Sequence, residues 1–166
     1  ASNILDLCCG PAILYHRYLR RKSIRYTGLD LSSTFIQRLN ERGARGHVWD
    51  LQEERTLPQA DYVIMQASLY QFLPDAQPIV DRMLRAAHRQ VIVSEPIRNI
   101  TSSKLAPLAF LGRRFTDPGD GQSEHRFTEQ TLDLFFARYE SRLSKAFLIP
   151  GEREKVFVLN SSREDG

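Results

Sequence analysis

The sequence predicts an α/β protein, a three-layer sandwich around a seven-stranded, mostly parallel sheet with an antiparallel strand near one edge. Three observations carry that expectation. Short β-rich runs alternate with helical patterns from Ile4 to Glu95, as repeated strand–helix–strand units require. The run Tyr62–Gln66 is apolar until its last residue, which suits a strand covered on both faces. Near the end, two β-rich runs flank the tight turn Pro150-Gly151, and strands joined that closely pair antiparallel.

The first strand is expected over Ile4–Cys9, closed by Gly10-Pro11. A helix should follow from about Ala12 to Arg21, with Ile13, Leu14, Tyr18 and Leu19 near one face. The second strand covers Tyr26–Leu31. Ser32 or Ser33 then caps a helix through Phe35, Ile36 and Leu39 that stops at Gly43. A third strand, Gly46–Trp49, ends at Asp50, and the polar segment Leu51–Pro58 has room only for a loop or a stunted helix. After the fourth strand, Tyr62–Gln66, the residues Ile79, Val80, Met83 and Leu84 recur at helical spacing within Asp75–Ala87. Strand five, Val91–Glu95, is ended by Pro96. The stretch Arg98–Arg126 reads as a short helix over the apolar patch Leu105–Leu111 and then an irregular loop. A last helix, Glu129–Tyr139, opens at Thr128 and precedes the strands Ser141–Ile149 and Lys155–Asn160. Without repeats or a linker, residues 1–166 are expected to form one domain.

Bulk properties narrow the function. A chain of 166 residues, 42% hydrophobic, can bury a substantial core and is not expected to be disordered. No apolar run approaches the roughly 20 residues that span a bilayer, and none resembles a secretory signal. A cytoplasmic location and no membrane partner are therefore expected. Cys8 and Cys9 are adjacent, too close for an ordinary disulfide between strand neighbours. Two thiols, with His16, His47, His88 and His125 at no ligand spacing, predict no metal site. The net charge is +3, and the densest basic stretch is Arg17, Arg20, Arg21, Lys22 and Arg25. It lies where a helix should end, a place that favours cations, and it lacks the interleaved aromatics of a nucleic-acid footprint. The chain enters its first strand almost at once, at Asn3 and without a Met, so an upstream segment covering the site is expected to be missing.

The strongest chemical signal is Asp6-Leu7-Cys8-Cys9-Gly10-Pro11-Ala12, between a strand and a helix. Open parallel sheets bind ligands beyond the carboxyl ends of their strands, and a small residue at such a turn lets backbone approach the ligand. Twenty residues after Gly10, Asp30 ends the second strand, where a carboxylate can accept ribose hydroxyls. A dinucleotide site would place glycines where Cys8, Gly10 and Ile13 stand, and a β-branched Ile13 opposes the close helix packing of the third. A nicotinamide enzyme is accordingly the weaker reading.

These segments resemble the class I methyltransferases. Asn3-Ile-Leu-Asp-Leu-Cys-Cys-Gly-Pro-Ala12 is similar to their first motif, Leu-Asp-Leu-Gly-Cys-Gly-x-Gly, and Tyr26-Thr-Gly-Leu-Asp-Leu-Ser32 to their second. The resemblance implies a Rossmann-like sheet and S-adenosylmethionine as cofactor, with S-adenosylhomocysteine as product. It implies cofactor contacts from Asp6, Cys8, Gly10, Ala12, Asp30, Leu31, Asp50, Leu51 and Gln66. Asp30 would hold the ribose, Leu31 lie against the adenine, and Asp50 and the Leu51 N–H reach its amino group and ring nitrogen. Gln66-Ala-Ser-Leu-Tyr-Gln-Phe72 would lie beside the methionine moiety. Cys8 and Ala12 stand where the family usually has glycine, which implies weakened or unaltered binding.

Methyl transfer from a sulfonium demands alignment and exclusion of water, and a base only for a protonated nucleophile. Tyr70 and His125 are the candidate catalytic residues, and Arg113, Arg114, Asp117 and Glu124 could shape a substrate pocket. Enzymes that methylate base amino groups usually carry an Asp/Asn-Pro-Pro-aromatic segment after strand four, which Gln66-Ala67-Ser68-Leu69 is not. The expected acceptor is therefore a small molecule, methylated on oxygen or nitrogen, and an RNA or protein acceptor is the weaker reading. A methyltransferase-like accessory subunit without turnover is the alternative. Oligomeric state is not read from the sequence.

Overall fold

The computed structural model of the protein describes residues 1–97, 126–151 and 153–161. Its strands are β1 (Ser2–Leu7), β2 (Ile24–Asp30), β3 (Arg45–Val48), β4 (Ala60–Gln66), β5 (Ala87–Pro96), β6 (Leu143–Leu148) and β7 (Glu154–Asn160). They form one seven-stranded sheet in the order β3-β2-β1-β4-β5-β7-β6. The pairs β1–β2, β1–β4, β2–β3 and β4–β5 are parallel, whereas β7 runs antiparallel to both β5 and β6. The antiparallel strand thus lies one place in from an edge, as the Pro150-Gly151 turn implied.

Alternation along the strands sorts the core into two faces. Leu5, Leu7, Leu29, Val63, Met65, Val91 and Val93 form one cluster with Ile79, Val80 and Met83 of α2 (Gln77–Ala86). Leu132, Phe135 and Phe136 of α3 (Glu129–Ala137) join it. Each such fully buried side chain contributes roughly 1.5–3 kcal/mol relative to exposure. On the other face Cys9, Ala12 and Tyr26 pack with Ile36 and Leu39 of α1 (Ser33–Glu41). The result is the three-layer sandwich.

Local chemistry sets the helix ends. Ser32 caps α1 by accepting from the Phe35 N–H, and Gly43 at φ +82° lets the chain turn away from it. Thr128 and Thr131 form a reciprocal capping box at the start of α3. Phe136 stacks on Phe157 of β7 at 4.1 Å between ring centroids, and Lys155 reaches Glu129 and Asp133, tying α3 to the sheet edge.

The first crossover differs from expectation. β1 ends at Leu7, so Cys8 and Cys9 belong to the turn, where both are free thiols. The expected helix from Ala12 to Arg21 is shorter, helical at Ile13 and Leu14 and then a π-helical turn, Tyr15–Leu19, closed by Arg20 N–H donating to the Tyr15 carbonyl at 2.9 Å. Widening the turn rotates the packed face: Ala12, Tyr15 and Leu19 face the sheet, while Ile13 and Tyr18 are 47% and 63% exposed. Tyr15 stacks on Tyr26 at 4.4 Å, which fixes the segment to β2. The expected short helix and loop over Arg98–Arg126, together with His125, Arg113, Arg114, Asp117 and Glu124, lie outside the described residues, save Arg126.

Candidate functional site

The turn after β1 is built on alternating left-handed residues: Cys8, Gly10 and Ala12 have φ of 52°, 50° and 50°. An L-residue in this region costs roughly 1–2 kcal/mol, which is the physical reason glycine is usual there. This chain keeps the backbone shape with Cys8 and Ala12 in place of glycine. Neighbouring strands hold it: the Cys9 N–H donates to the Leu29 carbonyl at 3.0 Å, and the Ala12 N–H to the Cys9 carbonyl at 2.8 Å. Ala12 is only 1% exposed, so its methyl group also packs beneath the turn.

Asp30, at the end of β2, closes the turn. One carboxylate oxygen accepts the Gly10 N–H and the other the Ser32 N–H, each at 2.8 Å. A carboxylate has about four acceptor positions, so capacity remains for hydroxyl donors from a ligand. A Cβ at Gly10 would meet no atom within 4 Å, so the turn faces open space beside that carboxylate. Next to it, the Leu31 side chain is 68% exposed, an apolar surface at the mouth of the same space. An adenosine group fits this set: an acceptor for its hydroxyls, backbone with room for close approach, and an apolar platform.

The end of β3 joins the same rim, where the Trp49 N–H donates to the Asp30 carbonyl at 2.9 Å. Asp50 accepts the Gln52 N–H at 2.8 Å, which bends the chain. Leu51 is buried, and its carbonyl receives Arg82 of α2 at 2.6 Å. The second Arg82 arm reaches the Arg55 carbonyl at 2.7 Å, and the Arg55 guanidinium lies 3.8 Å over the Trp49 ring.

Asp6 is buried beneath the turn, where the Tyr26 hydroxyl donates to it at 2.6 Å. Burial pushes its carboxyl up to about 7, although the Tyr26 hydrogen bond pulls the other way. Burial, then the charges of Asp30, Asp6 and Glu95, raise the Cys8 thiol to about 12, so it stays protonated and is no nucleophile.

At the end of β4, Gln66 is exposed and Ala67 adopts φ 50° while its N–H donates to the Ser94 carbonyl at 2.7 Å. The short 3₁₀ turn Leu69–Phe72 follows. Tyr70 is half-buried there with the Arg126 guanidinium 4.8 Å over its ring, and burial raises its phenol. The sequence reading missed Glu95, the last acid of β5, which is 0% exposed. One of its oxygens accepts both the Ser68 and Leu69 N–H groups, at 2.7 and 2.6 Å. An acid closing an otherwise apolar strand, Val91-Ile-Val-Ser-Glu95, was the signal available for it. The structure thus gathers Asp6, Cys8, Gly10, Asp30, Asp50 and Tyr70 at the carboxyl ends of the parallel strands. His125 lies outside the described residues.

Residues 4–91 match the family model described as a methyltransferase domain. That stretch is more than half of the chain, and the chain belongs to this family. It is a class I methyltransferase with S-adenosylmethionine as its cofactor. The fold is similar to magnesium protoporphyrin IX methyltransferase from Synechocystis with bound S-adenosylhomocysteine. The TM-score is 0.68 at 15% identity, over 98% of this chain and 75% of that one. The same enzyme with bound S-adenosylmethionine gives 0.65 at 12% identity, over 98% and 71%. A TehB-like methyltransferase from Corynebacterium glutamicum gives 0.63 at 17% identity, over 95% and 79%. No curated protein sequence matches.

Proposed function

We propose that this methyltransferase acts on a small-molecule acceptor, methylating a hydroxyl or an amine. The observation that carries the reading is the end of β4, Gln66-Ala67-Ser68-Leu69, followed by the half-buried Tyr70. It has none of the Asp/Asn-Pro-Pro-aromatic chemistry used to hold an extruded base. A cytoplasmic location belongs to the same reading.

In this reading Asp30 accepts the ribose hydroxyls with the acceptor positions that Gly10 and Ser32 leave open. The Gly10 turn gives the methionine carboxylate room to approach backbone, Leu31 lies against the adenine, and Asp50 and the Leu51 N–H face its edge. Asp6, Cys8 and Ala12 support the turn from beneath, and Gln66 borders the methionine end. When bound, the cofactor would supply an activated methyl group to the acceptor's lone pair, its C–S bond breaking to leave S-adenosylhomocysteine and the acceptor's proton passing to solvent. The chain's own task is alignment and exclusion of water. Tyr70, kept neutral by burial, serves as a hydrogen-bond partner that orients the acceptor. It is not a phenolate base.

Calorimetric titration with S-adenosylmethionine, S-adenosylhomocysteine and NAD tests the cofactor site. Saturable binding of the two adenosyl ligands is expected, weakened at least about tenfold by Asp30→Ala, which corresponds to about 1.4 kcal/mol. Unchanged affinity in that variant would remove Asp30 from the site. A panel of small hydroxyl and amine acceptors, scored by S-adenosylhomocysteine formation, then tests the acceptor class. Turnover on RNA or a protein, with none on the panel, would overturn it.

A further inference from the structure

We propose that Glu95 is a positioning residue: its buried carboxyl latches the loop bearing Tyr70 to the end of β5 and loosens it on losing a proton. The inference rests on the reading above only in assigning that loop to the acceptor side; the latch itself follows from local geometry.

Val91 and Val93 point into the main core cluster, and the two-residue period of the strand sends Glu95 to the same face. There it sits behind the start of the 3₁₀ turn. Two adjacent N–H groups, Ser68 and Leu69, converge on Oε1, and both are short contacts. They lie 27 and 26 residues away in sequence, so this one side chain joins the end of β5 to the loop after β4. The Tyr70 N–H also bonds to Glu95, and the Ala67 N–H, bonded to the Ser94 carbonyl, adds a further link in that corner.

The other oxygen, Oε2, is buried and has no hydrogen-bond partner among the described residues. A buried carboxylate oxygen with no donor is costly as an anion and is the natural place for a proton. A proton on Oε2 leaves Oε1 a neutral carbonyl that still accepts both N–H groups, whereas its loss leaves a buried charge that only water reaching an opened loop can solvate. The latch therefore loosens when that proton is lost.

The surrounding groups do not neutralise Glu95. On β7, the Glu154 carboxylate, which takes the Ser94 hydroxyl, pushes the carboxyl further up. Lys155, opposite Glu95 in register, is committed to Glu129 and Asp133 of α3. On the loop itself, Tyr70 carries Arg126 over its ring. From the turn after β1, Cys8 contributes only a protonated thiol. Burial outweighs the Leu69, Ser68 and Tyr70 backbone bonds and raises Glu95 to about 7, which puts the switch near neutral pH.

The test is amide hydrogen exchange of the whole chain between pH 6 and 8, corrected for the intrinsic rate. Protection at Ser68, Leu69 and Tyr70 should fall several-fold as pH rises, with a midpoint near 7, and lose that dependence in Glu95→Gln. Flat protection in the wild type, or the same pH profile in Glu95→Gln, overturns the latch. If Glu95→Gln does not fold, carbon-13 NMR of the wild-type Glu95 carboxyl decides the matter. Its titration must coincide with the change in loop exchange, and a midpoint near 4.5 would sink the proposal. Calorimetry with S-adenosylmethionine on the same samples keeps the two ideas apart, since failure to bind would count against the cofactor reading and leave the latch untouched.

Discussion

Gly10 is where conformation and ligand access separate most cleanly. It holds φ 50° with open space where a Cβ would sit, so Gly10→Ala meets no clash. The penalty to folding should be the backbone term alone, about 1–2 kcal/mol, read as a drop of a few degrees in Tm. The new methyl group projects into the space assigned to the cofactor, so affinity for S-adenosylmethionine should fall by about tenfold or more in calorimetry. A lower Tm with unaltered affinity would mean that the cofactor lies elsewhere. Tyr70→Phe separates the other two steps: removing the hydroxyl should leave cofactor affinity intact while turnover on a methylated panel acceptor falls about tenfold. Equal activity would return Tyr70 to a packing role. Gly10 and Asp30 were legible because the twenty-residue spacing encodes a fixed distance across two adjacent parallel strands. Glu95 was not, because its meaning depends on two N–H groups that only the folded loop after β4 brings to it.

At the scale of elements, apolar rhythm located the buried strands and the three longer helices among the described residues, because burial on one face or both imposes a period on sequence. The exposed β6 was legible instead from the Pro150-Gly151 turn. The rhythm misplaced the packed face of the helical segment at the first crossover. Ile13, Leu14, Tyr18 and Leu19 satisfy a helical pattern, but the left-handed Ala12 starts the segment at an angle that an α-helical wheel does not anticipate. Tertiary packing of Tyr15 on Tyr26 then decides which face turns inward. The fit of α1 against β2 was equally invisible, since it depends on a missing side chain. A Cβ at Gly28 would lie 2.7 Å from the Cys9 sulfur and 2.8 Å from Cδ2 of Leu39. Gly28→Ala should therefore destabilise the protein by about 1–3 kcal/mol through overpacking, measured by urea denaturation. Truncating the flexible neighbour in a Gly28→Ala/Leu39→Ala double variant should cost less than the two single changes added together. Strict additivity would show that the clash is relieved by another route.

The whole molecule carries two carboxyls that burial lifts to about 7: Asp6 from 3.8 and Glu95 from 4.5. Between those limits the folded chain holds protons that the unfolded chain has released. Stability must then fall as pH rises, the reverse of a salt-bridged carboxylate. The contribution is fully present below the unfolded values and is lost once pH passes about 7. The expected result is a Tm that declines from pH 5 to pH 8 and levels off above that. Asp6→Asn isolates one share, because the amide oxygen can still accept the Tyr26 hydroxyl without ever bearing charge. That variant should match the wild type near pH 5, exceed it in Tm at pH 8, and show a shallower slope between. A wild-type Tm that is flat or rises over this interval would mean that neither carboxyl keeps a raised value in the folded state. If the slope is as expected, the chain maintains ionised Asp6 and Glu95 above pH 7 against its own stability.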